Sequence, residues 1–287
     1  MSGRRLTFAV NQPEMQKTIA LALLGLCHLL SGGKLHAQQI TGKAADSIFN
    51  SQPYFTIYQD NYFITGIPLN ERATKYNSDA KYQISFKQLL TKNVLPFHTY
   101  LFLTYTQVAF WDVYRNSSPF AEIDFNPSLG LAKRLSYHDR FIGVASLILE
   151  HQSNGRDSIS SRSWNRVSLS FQGPVSSKAV LTLKAWLPFA YKDDNPDLLQ
   201  YLGYGEASLT YAFLPKKLLL DVTLRKGNSD WKGSAQAQID YRPFKGGNEY
   251  FMLQWFQGYA ESLISYRDKV SMIRIGIIIK PSYLNFY

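Results

Sequence analysis

Between residues 54 and 280 the chain alternates apolar and polar residues in runs separated by turn signals. In 233–241, Ala235, Ala237, Ile239 and Tyr241 alternate with Ser234, Gln236, Gln238 and Asp240. In 122–131, Ile123, Phe125, Leu129 and Leu131 alternate with Glu122, Asp124, Asn126 and Ser128. Near the end, Ile273, Ile275, Ile277 and Ile279 alternate with Arg274, Gly276, Ile278 and Lys280. A period of two belongs to strands with chemically different faces. The pattern predicts twelve strands, near 54–69, 80–91, 97–111, 121–133, 139–153, 163–173, 177–190, 204–214, 216–226, 233–243, 249–266 and 269–280. Leu214-Pro215-Lys216-Lys217 and Gly173-Pro174-Val175-Ser176 read as short turns. The segments 154–162, 192–202 and 225–231 read as longer loops. No break in composition marks a second domain.

Alternation alone leaves two architectures open. In a soluble sandwich the apolar face is the core. In a membrane barrel it meets lipid, and the polar face lines the lumen. The aromatic content favours the barrel: 19 Tyr, 18 Phe and 5 Trp, with a mean hydropathy of only -0.20. So does the N-terminus. Lys17, an apolar run from Ile19 to Leu30 and small Ala37 before Gln38 make the three parts of a secretory signal. That run is too short to span a bilayer as a helix. The expected organisation is a signal segment over 1–37, with Met15 as an alternative start, and a single barrel domain over 38–287. The only cysteine, Cys27, falls inside the signal, so the mature chain uses neither disulfides nor thiolate metal sites. The terminal Asn285-Phe286-Tyr287 resembles the assembly signal of outer-membrane barrels. The expectation is an all-β fold, a transmembrane antiparallel β-barrel of about twelve strands in the bacterial outer membrane.

Charge narrows the partners. The chain carries +10 at pH 7, and removal of the leader leaves +7. That suits an anionic surface such as lipopolysaccharide or acidic phospholipid. No clustered Lys/Arg stripe of the kind nucleic acid requires is present, so nucleic acid is not an expected partner.

The chemistry concentrates in His151-Gln152-Ser153-Asn154-Gly155-Arg156 and Ser161-Arg162-Ser163-Trp164-Asn165. His151 and Ser153 share a strand face with Leu147 and Leu149. Asn165 shares its parity with Val167, Leu169 and Phe171 on the next strand. A serine needs a base, and the base needs a partner that fixes its tautomer. Ser153 as nucleophile, His151 as base and Asn165 as orienting residue fill those roles. Polar groups facing hydrocarbon unpaired cost several kcal/mol each, and a mutually bonded triad avoids that cost.

These two segments resemble the signature of bacterial outer membrane phospholipase A. The resemblance continues through Tyr105-Thr106-Gln107, Ser117-Ser118-Pro119-Phe120, Asp194-Asn195-Pro196-Asp197 and Gly258-Tyr259-Ala260-Glu261-Ser262-Leu263-Ile264-Ser265-Tyr266. It implies a twelve-stranded barrel with its active site on the outer wall. It also implies hydrolysis of acyl esters in glycerophospholipids and lysophospholipids, dependence on Ca2+, and regulation through a homodimer. By position it makes Gly155 the oxyanion N–H donor, and Arg156, Ser161 and Ser117 calcium ligands. It places Tyr105 and Gln107 near the substrate cleft and dimer face. Gln107 adds a physical reason of its own, since a membrane-facing amide gains by pairing with its twin. The loop Asp157-Ser158-Ile159-Ser160 departs from the pattern in carrying one acid and one apolar residue. Ala260 is a further departure. Gln152, on the opposite face from the triad, is expected to tolerate change. The rival readings are a non-enzymatic pore or structural barrel and, behind it, a soluble sandwich hydrolase.

Overall fold

In the computed structural model, residues 41–92 and 94–281 are described. The signal segment, Cys27 and the terminal Asn285–Tyr287 lie outside the described residues. The described chain is an antiparallel sheet rolled shut. Its strands are β1 (Phe55–Ile57), β2 (Asn61–Pro68), β3 (Asp79–Leu89), β4 (Tyr100–Trp111), β5 (Phe120–Tyr137), β6 (Arg140–Ser153) and β7 (Ser163–Ser176). They continue as β8 (Ala179–Phe189), β9 (Gly205–Leu214), β10 (Leu218–Lys226), β11 (Gly233–Tyr241), β12 (Glu249–Gly258) and β13 (Val270–Ile279). From β2 onward each strand pairs with the next in sequence, and β13 returns to β2, closing the sheet. Two short helices accompany it, α1 (Gly42–Ser51) and α2 (Leu198–Leu202). Among the described residues, no helix is long and apolar enough to cross a membrane.

Thirteen segments occupy twelve positions, because β1 and β2 pair with opposite ends of the same strand, β3. The single strand expected over 54–69 is therefore broken at Tyr58-Gln59-Asp60. Side chains replace the missing ladder bonds there. Gln59 N donates to Ser85 Oγ at 3.2 Å, Ser85 N to Asn61 Oδ1 at 2.5 Å, and Gln83 Nε2 to the Asp60 carbonyl at 2.7 Å. Backbone groups inside a barrel wall need such partners.

Which face meets lipid is settled by exposure. Leu169, Ile275 and Ile277 on the outer face are 62%, 61% and 58% exposed, whereas Asp240, Gln254 and Arg274 on the inner face are 0–2% exposed. The apolar side of the alternation is outside and the polar side inside, as in a membrane barrel and opposite to a sandwich. The lumen is held by ion networks. Arg274 pairs with Asp79 at 2.8 Å and Glu261 at 2.6 Å, and Lys81 joins Glu261 at 3.0 Å. Lys280 gathers Asp240, Asp221 and Asp60 at 2.6, 2.9 and 3.2 Å.

The connections separate into two ends. One end carries the links at 90–99, 138–139, 177–178, 215–217 and 242–248, mostly short. The other carries 69–78, 112–119, 154–162, 190–204, 227–232 and 259–269. We refer to the turn end and the loop end. The turn expected at Gly173–Ser176 is in fact strand, because β7 continues past an irregularity between Pro174 and Ser176. The chain reverses at Ser177–Lys178 instead. The strand expected over 249–266 stops at Gly258. The backbone there takes φ +130°, and a Cβ would lie 2.3 Å from the Gly233 carbonyl oxygen. The next residues dip into the barrel mouth, where Leu263 N and Ile264 N donate to Asp124 and Glu122 at 3.2 and 3.1 Å. Ala260 sits in this dip with φ +54°, a left-handed backbone that glycine would adopt without a Cβ penalty.

The loop end of the lumen is filled. Trp164 and Trp186 from the wall pack with Leu198 and Leu202 of α2 and with Leu263 and Tyr266 of the last loop. Asp197 fastens these loops by accepting from Tyr266 Oη and from Arg267 Nε at 2.9 Å. Burial works to raise its carboxyl. The bonds from Arg267 and Tyr266 outweigh that and hold it below the usual carboxylate range. At the turn end, Phe49 of α1 packs against Tyr100 and Phe141 with ring centroids 6.0 Å apart in both cases.

Candidate active site

Antiparallel register fixes the site. His151 lies directly opposite Asn165 across β6–β7, and Ser153 lies opposite Ser163. His151 and Ser153 follow Leu147 and Leu149 on the outer face, both of them 51% exposed. The His151 Nδ1 is 2.9 Å from Asn165 Oδ1. An amide oxygen accepts, so Nδ1 carries the proton and Nε2 is left with its lone pair. Ser153 is the next residue on this face, two positions along the strand.

The wall behind His151 is built for it. Pro127 in β5 has no N–H to give the ladder, and the β5–β6 pairing skips from Phe125–Ser153 to Ser128–Glu150. Asn126 Nδ2 fills the gap by donating to the His151 carbonyl at 2.7 Å. Pro127 inside an alternating run was a visible signal for this site. On the inner face, Gln152 Oε1 accepts from Trp164 Nε1 at 3.1 Å and from Arg166 at 3.0 Å. Gln152 does lie opposite the triad, yet it ties β6 to β7, which gives it a role where tolerance to change was expected.

The loop 154–162 is drawn tight around one buried side chain that the sequence reading passed over. Asn154, 4% exposed, accepts at Oδ1 from Arg162 N at 2.9 Å and Arg156 N at 3.3 Å, and donates from Nδ2 to the Ser160 carbonyl at 2.9 Å. Gly155 takes φ +66°, and a Cβ there would come within 3.0 Å of the Phe125 ring. Phe125 pairs with Ser153 on the outer face, so Gly155 lies over the same face as Ser153.

Arg156 reaches Glu122 at 3.3 Å and donates to the Ala121 carbonyl. It thereby joins this loop to the start of β5, just after the loop holding Ser117. Ser117 is exposed, with a left-handed backbone at φ +63°. Ser161 Oγ donates to Asp194 Oδ2 at 3.1 Å, and Ser163 Oγ to the same oxygen at 2.7 Å. Neighbouring Asn195, fully buried, donates to the Ser163 carbonyl at 2.6 Å. The Asp194-Asn195 pair, identified only as a landmark in the sequence, is thus a clamp on the entry to β7. Among the described residues no group of three or more His, Cys, Asp or Glu is arranged to hold a metal ion. The donors around Ser161 are hydroxyl, carboxylate and carbonyl oxygens, a hard set that fits calcium better than a thiophilic metal.

Tyr105 and Gln107 lie in the same rows as the triad. Gln107 pairs with Phe125, which pairs with Ser153, and Tyr105 pairs with Pro127. The Gln107 amide is satisfied within the chain. Its oxygen accepts from Tyr105 Oη at 2.9 Å, and its nitrogen donates to Tyr82 Oη at 3.3 Å. Within a single chain the amide thus has partners of its own.

The phospholipase A1 family model matches residues 48–279. The chain belongs to the phospholipase A1 family. Phospholipase A1 of Escherichia coli (strain K12) is 30% identical over 256 residues, covering 83% of this chain and 84% of that protein. A relative from Neisseria meningitidis serogroup B is 31% identical over 211 residues, and the chain spans 54% of that protein's length. In fold, the chain superposes on the Salmonella typhi outer membrane phospholipase dimer with bound calcium. The TM-score is 0.72 at 24% identity, over 84% of this chain and 98% of that one. The Escherichia coli outer membrane phospholipase A gives 0.71 at 24% identity, over 79% and 98%.

Proposed function

We propose that this chain is an outer-membrane phospholipase A that cleaves acyl esters of glycerophospholipids and lysophospholipids at Ser153. The observation that carries the reading is the 2.9 Å contact between His151 Nδ1 and Asn165 Oδ1 on a wall face otherwise lined by leucine, valine and phenylalanine. It supports a reading in which a serine, a base and its orienting group work beside acyl chains. In the bacterial outer membrane, after loss of the signal segment, the loop end would face outward, as long loops do in such barrels.

In this reading His151 Nε2 takes the Ser153 hydroxyl proton as Oγ attacks the ester carbonyl carbon. Collapse of the tetrahedral adduct breaks the bond to the glycerol oxygen, and His151 returns the proton to that oxygen. The lysophospholipid leaves and an acyl-Ser153 ester remains. His151 then deprotonates a water that attacks the acyl carbon. Fatty acid departs, and Ser153 Oγ regains its proton. Asn165 holds the imidazole in one tautomer through both halves. The Gly155 N–H donates to the developing oxyanion, a contact strongest where the charge is greatest. Ser161, the Arg156 carbonyl and Ser117 would hold calcium, whose charge supports the same oxyanion when bound. Asn154 keeps the loop that carries these groups in one shape. Tyr105 and Gln107 would lie at the acyl cleft and face a second copy of the chain in a regulated homodimer.

The test is release of fatty acid from phospholipid micelles, with and without a calcium chelator, in the parent chain and in Ser153→Ala. A fall of about 10³-fold or more is expected for the variant, with heat-modifiable migration of the folded barrel unchanged. Activity that persists in Ser153→Ala would overturn the nucleophile, and activity indifferent to chelation would overturn the calcium assignment.

A further inference from the structure

The net positive charge of this chain is not spread over the barrel. The connections at the loop end hold nine Lys or Arg and nine Asp or Glu. Many of those cations are engaged: Arg115 with Asp112 at 2.9 Å, Arg156 with Glu122 at 3.3 Å, Arg267 with Asp197 at 2.7 Å, and Lys232 with Gln200 at 3.2 Å. The connections at the turn end hold six cations, Lys92, Lys178, Lys216, Lys217, Arg242 and Lys245, against one carboxylate, Asp139. Lys178, Lys216, Lys217 and Lys245 are exposed, and none forms an ion pair among the described residues. Lys133 and Arg140 extend this set from the adjoining strand ends, both exposed, against one exposed carboxylate there, Glu249.

Large apolar side chains stand among these cations. Phe97 is 78% exposed, Val94 76%, Phe244 74% and Tyr137 67%. The Lys133 ammonium lies 5.6 Å from the Phe97 ring. Bare cations alternating with exposed aromatics at the rim of an apolar band match the chemistry of a phospholipid interface, where rings sit at the level of the head groups and ammonium groups reach phosphate.

We infer that the turn end is a docking rim for anionic glycerophospholipid head groups in the leaflet it meets, and that lipopolysaccharide on the loop side is not the partner of the chain's charge. The loop end, at nine against nine, offers an anionic sugar-phosphate surface no net attraction. The turn end offers several unpaired ammonium groups within one Debye length of a lipid surface, where each basic residue favours anionic lipid by about fivefold. The rim would fix the depth of the barrel and select its lipid shell. It depends on the barrel and its charge, and failure of the triad leaves it standing.

The test uses the full chain reconstituted with ether-linked phosphatidylcholine and a minor fraction of ether-linked phosphatidylglycerol, lipids that esterase activity cannot consume. Lipid retained by the protein is counted by native mass spectrometry. The parent chain is expected to retain phosphatidylglycerol about fivefold or more above its bulk share, and to lose the preference in about 0.5 M salt. Lys178→Gln/Lys216→Gln/Lys217→Gln/Lys245→Gln should bring it near parity. The same charge change at the loop end, Arg72→Gln/Lys75→Gln/Lys192→Gln/Lys269→Gln, should leave it intact. Parity in the parent chain, insensitivity to salt, or a preference lost only with the loop-end variant would each overturn the inference. So would tighter binding of peptidoglycan fragments than of phosphatidylglycerol. The salt titration needs only the parent chain, so it decides the matter even where the turn-end variant fails to fold.

Discussion

Strands β6 and β7 carry polar side chains on both of their faces, and the two sets are satisfied in different ways. On the inner face Glu150 accepts from Arg166 at 2.6 Å, Lys184 at 2.7 Å and Ser168 Oγ at 2.5 Å, and all four side chains are buried or nearly so. On the outer face His151 is paired through Nδ1 with Asn165, and Ser153 is the next residue on the same face. The inner set spends most of its donors and acceptors on lumen partners, with Arg166 also reaching Gln152 and leaving its Nε without one, and its business is to hold β6, β7 and β8 in register. The outer set keeps one lone pair and one hydroxyl in reserve, on a face where reserve is costly. Polarity spent on neighbouring polar groups marks structure, and polarity held back against an apolar surround marks chemistry.

The largest effect that sharpens this contrast is expected on the inner face. Glu150→Ala leaves Arg166 and Lys184 side by side in the lumen without their shared carboxylate. Breaking a buried ion network in this way costs about 3–5 kcal/mol. Urea unfolding of the folded barrel in detergent should register that loss, while residual activity per folded molecule stays within a few-fold. A loss of turnover with unchanged unfolding would reverse the proposed division of labour between the faces.

The next effect belongs to the outer face. Asn165→Ala removes the acceptor for His151 Nδ1–H and frees the ring to rotate and to change tautomer. Turnover should fall by about 10–100-fold, equivalent to about 1.4–2.7 kcal/mol of transition-state stabilisation, with the unfolding midpoint nearly unmoved. Because Asn165 is half-exposed on the wall, its loss leaves only a small cavity. Comparable losses in turnover and in unfolding free energy would make the contact a structural bond and no more.

Much of this contrast can be read from the sequence, for a definite reason. Strand parity is local, so Ser153, His151 and Asn165 could be placed on the face of Leu147, Leu149, Val167 and Leu169 without knowing any fold. Closure of the barrel and the inside-out sense of its faces came from the signal segment and aromatic content taken together with the alternation. What stayed hidden is non-local. Asn154 reads as an ordinary turn former until its three bonds draw a loop closed. Asp194 reaches Ser161 and Ser163 from a loop more than thirty residues away. The break at Tyr58-Gln59-Asp60 shows in the sequence as three consecutive polar residues, Gln59-Asp60-Asn61, but their partners Ser85, Gln83 and Lys280 are distant in the chain. The dip at Leu263 and Ile264, within the strand expected over 249–266, depends on carboxylates of β5 that receive its backbone N–H groups. The split of charge between the two ends needs the strand order before it can be counted.

Asn126 gives the smallest effect and the most discriminating one, because it touches both faces. Its Nδ2 donates to the His151 carbonyl at 2.7 Å, and its Oδ1 receives Arg166 from the lumen at 3.5 Å. The first bond stands in for the ladder bond that Pro127 cannot make. Asn126→Ala leaves the His151 carbonyl without that donor, a loss of about 1 kcal/mol in folding stability. Turnover should drop less than tenfold, since the imidazole keeps Asn165. Asn126→Asp keeps the size but replaces the donor with a carboxylate facing a carbonyl oxygen, and it should be worse than alanine by the same unfolding measurement. If alanine and aspartate behave alike, the side chain is filling space beside Pro127. If aspartate is the more damaging, the hydrogen bond to the backbone of His151 is what this strand has kept.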